Sequence, residues 1–347
     1  MNPASLIPIA EPLPIHWAWF DILLIVTLTA HLLFMNALLG SAVIGLIRSV
    51  RGDTGPLRQA GMKLPPLLAL TINMGVAPLL FLQVNYGNFD YVSSVLMGGW
   101  WLAVVAVLLA AYYGFYIGKF KFDAMGPGLR GLLFAASIGG CLYVGFMFTN
   151  NMTLMLHPET WTEYFRVQGA FLNLGDPTVP PRFLHAMVGA LAVGGLFLAL
   201  LGRTRKNDEF VDLGMTWFTR ATLVNLAVGF WFLIAQPDDI VAAFMGGNIP
   251  ATGTLLAAFT AMGAMLWAGY RKRPRQSAVW AVITVFLMVC TRHWLRVLSL
   301  APWFDINTTP VTGQYGSFYL FLGFLVVGLA LVGYMLKLYF AARGRGV

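Results

Sequence analysis

The chain alternates between long apolar runs and short polar connections, and the runs have the length of membrane-spanning helices. A helix needs about 20 mainly apolar residues to cross the hydrocarbon core of a bilayer. Nine runs meet this requirement: 18–47, 64–86, 91–118, 128–157, 182–202, 215–235, 241–270, 277–299 and 316–341. They are too uniformly apolar for the alternating strands of a membrane barrel. The pattern therefore predicts an all-α polytopic membrane protein, with nine transmembrane helices in a single domain over residues 1–347.

Lys and Arg gather in every second connection, and this predicts the orientation of the helices. The intervening connections carry Asp and Glu instead. Of the 22 basic residues, the exceptions to this rule are Arg166, Arg182, Arg292 and Arg296. Because basic residues accumulate on the cytoplasmic side of membranes, we expect the N-terminus outside and the C-terminus in the cytoplasm. Residues 1–17 contain no Lys or Arg, so no signal peptide is predicted.

Composition excludes several classes of protein. Apolar residues make up 59% of the chain and charged residues 10%, whereas soluble domains carry about 25% charged residues. A cytosolic enzyme and a disordered chain are therefore excluded. The net charge of +8 follows from the basic connections, which suit anionic lipid, so no nucleic-acid partner is expected. Cys141 and Cys290 lie in separate apolar runs and form no CxxCH motif, so this chain cannot attach a c-type haem.

The five histidines all avoid the predicted inner face of the membrane. His31 lies near the middle of the first run, His185 opens the fifth and His293 lies near the outer end of the eighth. His16 and His157 stand at the outer ends of the first and fourth runs, where an interfacial role is expected. Neutral imidazole is a good axial ligand for haem iron, and a methionine thioether can supply the second ligand. The positions of these residues indicate haem in the outer half of the bilayer.

Three arginines strengthen this interpretation, because haem propionates favour nearby cations. Arg182 precedes His185 by one helical turn, and Arg292 and Arg296 lie at the outer end of the eighth run. Such an arrangement suits a macrocycle in the membrane with its propionates facing outward. Other interpretations remain open: a histidine can bond a neighbouring helix, and arginines can anchor a helix by reaching to the interface. Small residues after His185 fit either a macrocycle or helix packing; they are Gly189, Gly194 and Gly195.

Further polar residues lie in the second and fourth runs. They either bond helices together or line a pocket for a quinone headgroup, and they are Asn73, Gln83, Asn85, Asn150 and Asn151. Carboxylates are scarce by comparison. Asp21 lies inside the first run and Asp90 at a boundary, while the third run has none after Tyr91.

Four segments, in order, resemble subunit I of cytochrome bd quinol oxidase. LTAHLLFMNALLG (28–40) is similar to the first helix of that family, and NMGVAPLLFLQVNYGNFDYVSSVLMGG (73–99) to its second helix and the following loop. FLHAMVGALAVGGLFLALLG (183–202) resembles the fifth helix, and MVCTRHWLRVLSL (288–300) the eighth. The resemblance is distant but runs along most of the chain, and nine spans with an outside N-terminus are also that family's topology.

The resemblance implies ligands for two haems b, or three. His31 matches the axial ligand at the family's oxygen site, and His185 matches the ligand of its low-spin haem. Met245 matches the partner of that ligand at the start of the seventh helix, with the deeper Met262 and Met265 as alternatives. The resemblance also makes His293 a candidate ligand of a further haem.

Departures from the family bear on the reaction. The third-helix glutamates have no counterpart around 98–109, the eighth-helix glutamate is replaced near Met288 and Val289, and the long quinol-binding loop is reduced to 236–240. Oxygen reduction consumes protons, and membrane carboxylates are their usual relay. We therefore expect an electron-transfer subunit in the cytoplasmic membrane of a prokaryote. It would link the quinol pool to a c-type cytochrome or other redox subunit, with a further membrane subunit as an additional partner.

Three alternatives follow from the same residues. The first is a divergent bd-type quinol:oxygen oxidoreductase. The second is a transporter whose His, Asn and Arg line a solute path, for which broken helices would be typical. The third is a haem-free membrane anchor of a redox complex.

Overall fold

The computed structural model describes residues 2–167 and 170–344, and this part of the chain is a bundle of helices. The helices are α1 (Trp17–Val50), α2 (Gly55–Gly61), α3 (Leu64–Met97), α4 (Gly99–Phe120), α5 (Pro127–Leu156), α6 (Tyr164–Val167), α7 (Val179–Thr204), α8 (Asp208–Ile234), α9 (Asp238–Ala242), α10 (Ile249–Tyr270), α11 (Pro274–Leu300) and α12 (Tyr315–Gly344). Within the described residues, nine of them are long and apolar enough to cross a membrane: α1, α3, α4, α5, α7, α8, α10, α11 and α12. The prediction of an all-α protein with nine spans is confirmed, and the chain is a multi-pass membrane protein. Arg345 of the basic tail lies outside the described residues.

Side-chain contacts bring the basic connections together at one end of the bundle, which we call the basic end. An ion pair between Arg58 and Asp123 (2.6 Å) joins the connection after α1 to the one after α4. Arg205 Nη1 donates to Gln59 Oε1 at 2.8 Å, joining the connection after α7. These connections therefore lie on the same side of the bundle, as the alternation of charge predicts.

The opposite end, which we call the acidic end, is closed by the N-terminal segment and the connection between α11 and α12. Leu13 and Val311 pair as an isolated parallel β-bridge. Trp17 Nε1 donates to Asn307 Oδ1 at 3.2 Å, which fixes the start of α1 against the same connection. The backbone N–H of Phe171 donates to the carbonyl of Leu96 at 2.8 Å, so the loop before α7 covers the end of α3.

Close backbone approach holds α7 at the centre of the bundle, between α1 and α8. A Cβ atom added to Gly194 would overlap the backbone of Gly40 on α1, and one added to Gly195 would lie 2.7 Å from the carbonyl oxygen of Gly214 on α8. Small residues allow this contact in membranes, where helix association depends on van der Waals packing. Helix packing is therefore the role of Gly194 and Gly195.

The predicted connection between the second and third spans is misplaced. The second predicted run ends at residue 86, where the backbone of α3 departs from helical geometry at Tyr86 (φ −135°, ψ 27°), but the helix resumes, continues to Met97, and the chain turns at Gly98 (φ 53°). Residues 87–90, predicted as a connection, therefore belong to α3, and polar side chains around the break are bonded inside the bundle. Asn85 Nδ2 donates to the carbonyl of Trp17 at 3.2 Å, and Gln83 Nε2 donates to Asp90 Oδ2 at 3.0 Å. Asp90 is therefore a buried residue of α3 and does not belong to a loop.

The predicted seventh span is broken in the structure. The run 241–270 comprises the end of α9, a π-helical turn over Ala243–Gly247 and then α10, which begins at Ile249. Gly246 adopts a φ of 122°, a conformation that favours glycine, and Pro250 is at the start of α10. The hydropathy of the run conceals this break, because its residues are apolar on both sides of it.

Gly194→Ala should destabilise the protein, because the added methyl group has no space between α7 and α1. Overpacking of this kind costs about 1–3 kcal/mol, and more where backbone must move. Gly139→Ala on α5 is the matched control, since a Cβ there meets nothing within 4 Å. Thermal unfolding in detergent should show a lower midpoint for Gly194→Ala and little change for Gly139→Ala. Equal midpoints would show that the contact between α1 and α7 is not tight.

Candidate functional site

A cavity of about 290 Å³ lies between the helix pair α7/α8 and the helix pair α10/α11, and α1 closes one side of it. It reaches from the acidic end towards the middle of the bundle. Most of its wall is apolar; lining residues of this kind include Leu32, Ala186, Val193, Leu226, Phe259 and Val285. Binding sites for small molecules are typically apolar cavities with a few placed polar groups, and this cavity fits that description.

His185 projects from α7 into this cavity one turn after Arg182. Its ring faces Gly229 of α8, where an added Cβ would lie 3.1 Å from His185 Cε1 and 3.3 Å from Nδ1. The ring also stacks at an interplanar angle of 21° against Phe232, with centroids 6.4 Å apart. Gly229 therefore makes room for the imidazole, and Nε2 is the ring nitrogen farther from this glycine.

Two arginines line the same cavity from opposite walls. Arg182 comes from α7 and Arg292 from α11. The carboxylate of Asp176, in the loop before α7, is near enough to act on the charge of Arg182 but does not line the cavity. The guanidinium carbon of Arg182 lies 5.0 Å from the ring centroid of Phe232. Among the described residues that line the cavity, none is a carboxylate. The cavity therefore carries positive charge that no lining side chain neutralises.

Several polar atoms of the cavity wall are buried without a hydrogen-bond partner from the protein. They are Asn36 Oδ1, Arg182 Nε and Nη2, His185 Nδ1, Asn225 Oδ1 and Thr284 Oγ1. Buried polar atoms in native proteins are nearly always paired, and an exception calls for an explanation such as an absent ligand or water. The clustering of these atoms around one cavity indicates an absent ligand or water, and the unpaired donors of Arg182 suit an anionic group.

Asp176, in the loop before α7, has its carboxylate occupied by other groups. His157 Nδ1 lies 2.5 Å from Oδ2, Asn173 Nδ2 donates to the same oxygen at 3.0 Å, and the N–H and Oγ1 of Thr178 each donate to Oδ1 at 2.7 Å. Burial by itself would raise the pKa of Asp176, but the hydrogen bond and charge of His157, with the bonds from Thr178, lower this pKa to about 2. The ionised carboxylate therefore ties the end of α5 to the start of α7, where Arg182 and His185 follow.

His31 lies on the other side of α1, against α3. Its Nδ1 is 2.9 Å from the carbonyl oxygen of Thr71, and an added Cβ on Gly75 would lie 2.8 Å from the same ring. A carbonyl oxygen accepts a hydrogen bond, so Nδ1 carries the proton and Nε2 keeps its lone pair. Histidines that ligate metals are commonly held in this way.

His293 and Arg296 contact Asp21 of α1. Arg296 Nη2 lies 3.5 Å from Asp21 Oδ1, and His293 Nδ1 lies 3.6 Å from Oδ2. The guanidinium carbon of Arg296 is also 4.8 Å from the ring centroid of Tyr86. Asp21 and Arg296 are only 4% and 6% exposed. The structure thus separates Arg296, which pairs with an acid, from Arg292, which lines the cavity.

Met245 does not face His185 in this structure. It lies in the π-helical turn before α10, is 59% exposed, and is absent from the cavity wall as the described residues form it. The pairing of His185 with Met245 assumed that the seventh span starts as a regular helix at residue 241, and the break at Ala243–Gly247 removes that assumption. The alternatives Met262 and Met265 both line the cavity.

The other polar residues of the spans serve contacts between elements. Asn151 lies 3.0 Å from Ser93 Oγ and, with its amide turned, 3.2 Å from Asp90 Oδ1, which joins α5 to α3. Asn150 Oδ1 accepts from the backbone N–H of Asn173 at 2.9 Å. Of the two roles open to these asparagines, the contacts favour bonding of helices and loops.

Sequence reasoning missed several residues of the cavity wall. Asn36, Asn225 and Thr284 were not selected, although polar residues inside apolar runs are a usable signal. Met35 was not selected among the 16 methionines of the chain, and Met288 was named only as a position near which the family's glutamate is replaced. Of the glycines after His185, Gly189 is the one that lines the cavity, beside Asn225.

Comparison with known proteins finds no relative. No protein-family model matches the chain, and no curated protein matches it in sequence. Its class is therefore defined by the fold and the cavity alone: a multi-pass membrane protein with an apolar cavity that is positively charged towards the acidic end.

Asp176→Asn should destabilise the loop before α7 by about 1–3 kcal/mol, because an NH₂ group replaces one carboxylate oxygen and cannot accept the hydrogen bonds which that oxygen accepts. The contribution of the ionised carboxylate is present above pH of about 4 and is lost as the pH falls through about 2. In thermal unfolding in detergent, the difference from the unmodified protein should therefore be present at pH of about 5 and should shrink as the pH is lowered towards about 2.

Asp212→Asn is the control, since Asp212 pairs with Lys272 on the surface and should contribute within about 1 kcal/mol. If Asp176→Asn lowered the unfolding midpoint no more than Asp212→Asn does, the His157–Asp176 contact would not be what holds the loop.

Proposed function

We propose that this protein is a b-type haem-binding membrane subunit that carries electrons between the quinol pool and a redox partner. The proposal has its main support in one observation: His185 shares an apolar cavity with Arg182 and Arg292, and no carboxylate of the described wall neutralises them. A haem has an apolar ring, an iron that takes imidazole, and two anionic propionates. Each property matches one part of the cavity. The resemblance to cytochrome bd subunit I supports the same interpretation.

The residues present fit this group. His185 would hold the iron through Nε2, Arg182 and Arg292 would pair with the propionates, and the apolar walls would enclose the ring. In the described part of the chain, no three side chains of the types His, Cys, Asp and Glu are grouped to hold a metal ion. A porphyrin suits such a chain, because it brings four nitrogen ligands of its own. When bound, haem supplies one-electron transfer.

The protein's own groups would set the conditions for that transfer. Arg182 and Arg292 favour the form of the cofactor with the more negative charge, which is the reduced one. The apolar walls keep water from the site and strengthen this effect, because charges interact more strongly in a medium of low dielectric constant. His31, with its proton fixed on Nδ1 by Thr71, would ligate a second haem on the α3 side of α1.

We also propose that the basic end faces the cytoplasm of a prokaryote and the acidic end faces outward. The cavity then lies in the outer half of the cytoplasmic membrane. An exported or membrane-bound partner, such as a c-type cytochrome, could exchange electrons there. Acidic residues at this end would attract a basic partner surface; they include Glu159, Glu163, Asp238 and Asp239.

Electron transfer is favoured over oxygen reduction by the carboxylate-free stretch of α4. The helix Gly99–Phe120 contains no Asp or Glu, whereas reduction of oxygen needs a supply of protons. We therefore infer that the protein, with haem bound, would support electron transfer from quinol to a partner and not to oxygen. In proteoliposomes, quinol should reduce the haem without sustained oxygen uptake. Rapid uptake of oxygen would favour a divergent quinol:oxygen oxidoreductase.

His185→Ala should remove or alter the haem, because the imidazole supplies the bond to iron. The measurement is a pyridine haemochrome assay together with oxidised and dithionite-reduced spectra of the purified protein. His16→Ala is the control, since His16 caps the start of α1 outside the cavity and should leave haem content unchanged. A colourless unmodified protein would end the proposal and leave a transporter or a haem-free anchor.

Arg292→Gln should lower the reduction potential of the haem, because a positive charge near the propionates is lost. It should also weaken retention of haem, by about tenfold if it acts as outer contacts of metal sites commonly do. Redox titration followed by absorbance measures the first effect, and transfer of haem to apomyoglobin measures the second. Arg275→Gln at the basic end should change neither. Identical potentials in both variants would show that Arg292 does not lie beside the cofactor.

A further inference from the structure

The cavity contains four methionines that could approach the face of a haem opposite His185. They are Met35, Met262, Met265 and Met288. His185 belongs to the pair α7/α8, so a ligand on the other face of the ring should come from α10 or α11. Met35 lies on α1, which contacts α7 through Gly40 and Gly194 and α11 through Asp21 and Arg296. It therefore approaches the edge of a ring held between the two helix pairs, and not the face opposite His185.

Depth in the membrane distinguishes the methionines on the opposite wall. Arg182 and Arg292 both line the cavity near its limit at the acidic end: Arg182 is the first lining residue of α7, and on α11 only Leu295 lies nearer that end. The two helices run in opposite directions, since α7 begins at the acidic end and α11 ends there. His185 follows Arg182 by three residues and Met288 precedes Arg292 by four, so each lies one helical turn inward of its arginine. His185 and Met288 are therefore at similar depth on facing helices.

Packing separates Met288 from the deeper methionines as well. Met265 is a buried member of the apolar cluster that contains Leu196 and Phe218, and Met262 packs against the same cluster. Met288, as far as the described residues show, belongs to none of the apolar clusters of the bundle. Its thioether lines the cavity without a role in the core.

We propose that Met288 of α11 is the second axial ligand of the haem that His185 binds. This inference rests on the proposed function, since it assigns a ligand to the proposed haem. A methionine sulfur is neutral and soft, and it raises the reduction potential of haem relative to a second histidine. Arg292 would then position the propionate one turn above the ligand on the same helix. The pair Arg182–His185 on α7 would have its counterpart in Arg292–Met288 on α11.

Met288→Ala tests the assignment by spectroscopy of the full chain purified in detergent from a haem-replete host. We expect haem to be retained on His185 but to change from low-spin to high-spin, and the reduced protein to bind carbon monoxide. Met288→His should stay low-spin, because imidazole replaces the thioether, and its reduction potential should fall. Met245→Ala, which lies outside the described cavity wall, is the control of the same chemistry and should keep the spectrum of the unmodified protein.

Each outcome separates the ligand assignment from the proposed function. Absence of protohaem from the unmodified protein would refute the proposed function itself. Haem that stays low-spin in Met288→Ala but becomes high-spin in Met262→Ala or Met245→Ala would overturn only the assignment of Met288. If Met288→Ala fails to fold, near-infrared magnetic circular dichroism of the unmodified protein decides. A histidine–methionine signature together with low-spin haem in Met288→His supports the assignment, and a bis-histidine signature refutes it.

Discussion

Two positive charges in an apolar cavity are the constraint on which the interpretation of this protein depends. A charged side chain inside a membrane is costly unless it finds a partner. Arg296 has an acidic neighbour, because its Nη2 lies 3.5 Å from Asp21 Oδ1, although Arg296 Nε and both oxygens of Asp21 are also buried without a hydrogen bond. Arg182 and Arg292 share a cavity in which the described wall offers them no carboxylate, and two atoms of Arg182 are buried without any hydrogen bond. An anionic ligand would neutralise these two positive charges. The imidazole of His185 in the same cavity favours a ligand that also contains a metal.

The helices around the cavity are positioned by glycines of α7 and α8, which allow close contact between helices. Gly194 and Gly195 let α7 meet the backbones of α1 and α8, while Gly229 gives the ring of His185 its space. At the start of the same helix, Asp176 is bound by His157 and Thr178, which fixes the loop that leads to Arg182. Helix α7 is thus held by tight packing in its middle, and this packing positions the side chains of Arg182 and His185 near its start.

Comparison of the predicted and observed helices shows which signals were reliable. The nine spans were evident because length and uniform hydropathy are local properties of the chain. The end of α3 was missed because the stretch that contains Asp90 was predicted as a connection, although Asp90 contacts Asn151 of α5 and Asn85, one turn earlier, bonds to Trp17 of α1. The break before α10 was missed because apolar residues on both sides of Gly246 hide a backbone conformation that hydropathy does not record.

The sequence by itself determined that the chain crosses the membrane nine times, and it selected His185, Arg182 and Arg292 as candidate binding residues, together with Arg296, His31, His293 and Met245. These conclusions depend on the cost of polar groups in lipid and on the spacing of residues along one helix, which the chain carries locally. Only the tertiary structure decided that Arg296 pairs with Asp21, that Met245 is exposed, and that Met288 faces the cavity. Those facts depend on which helices meet and at what depth, and helix contacts arise from packing between residues far apart in the chain.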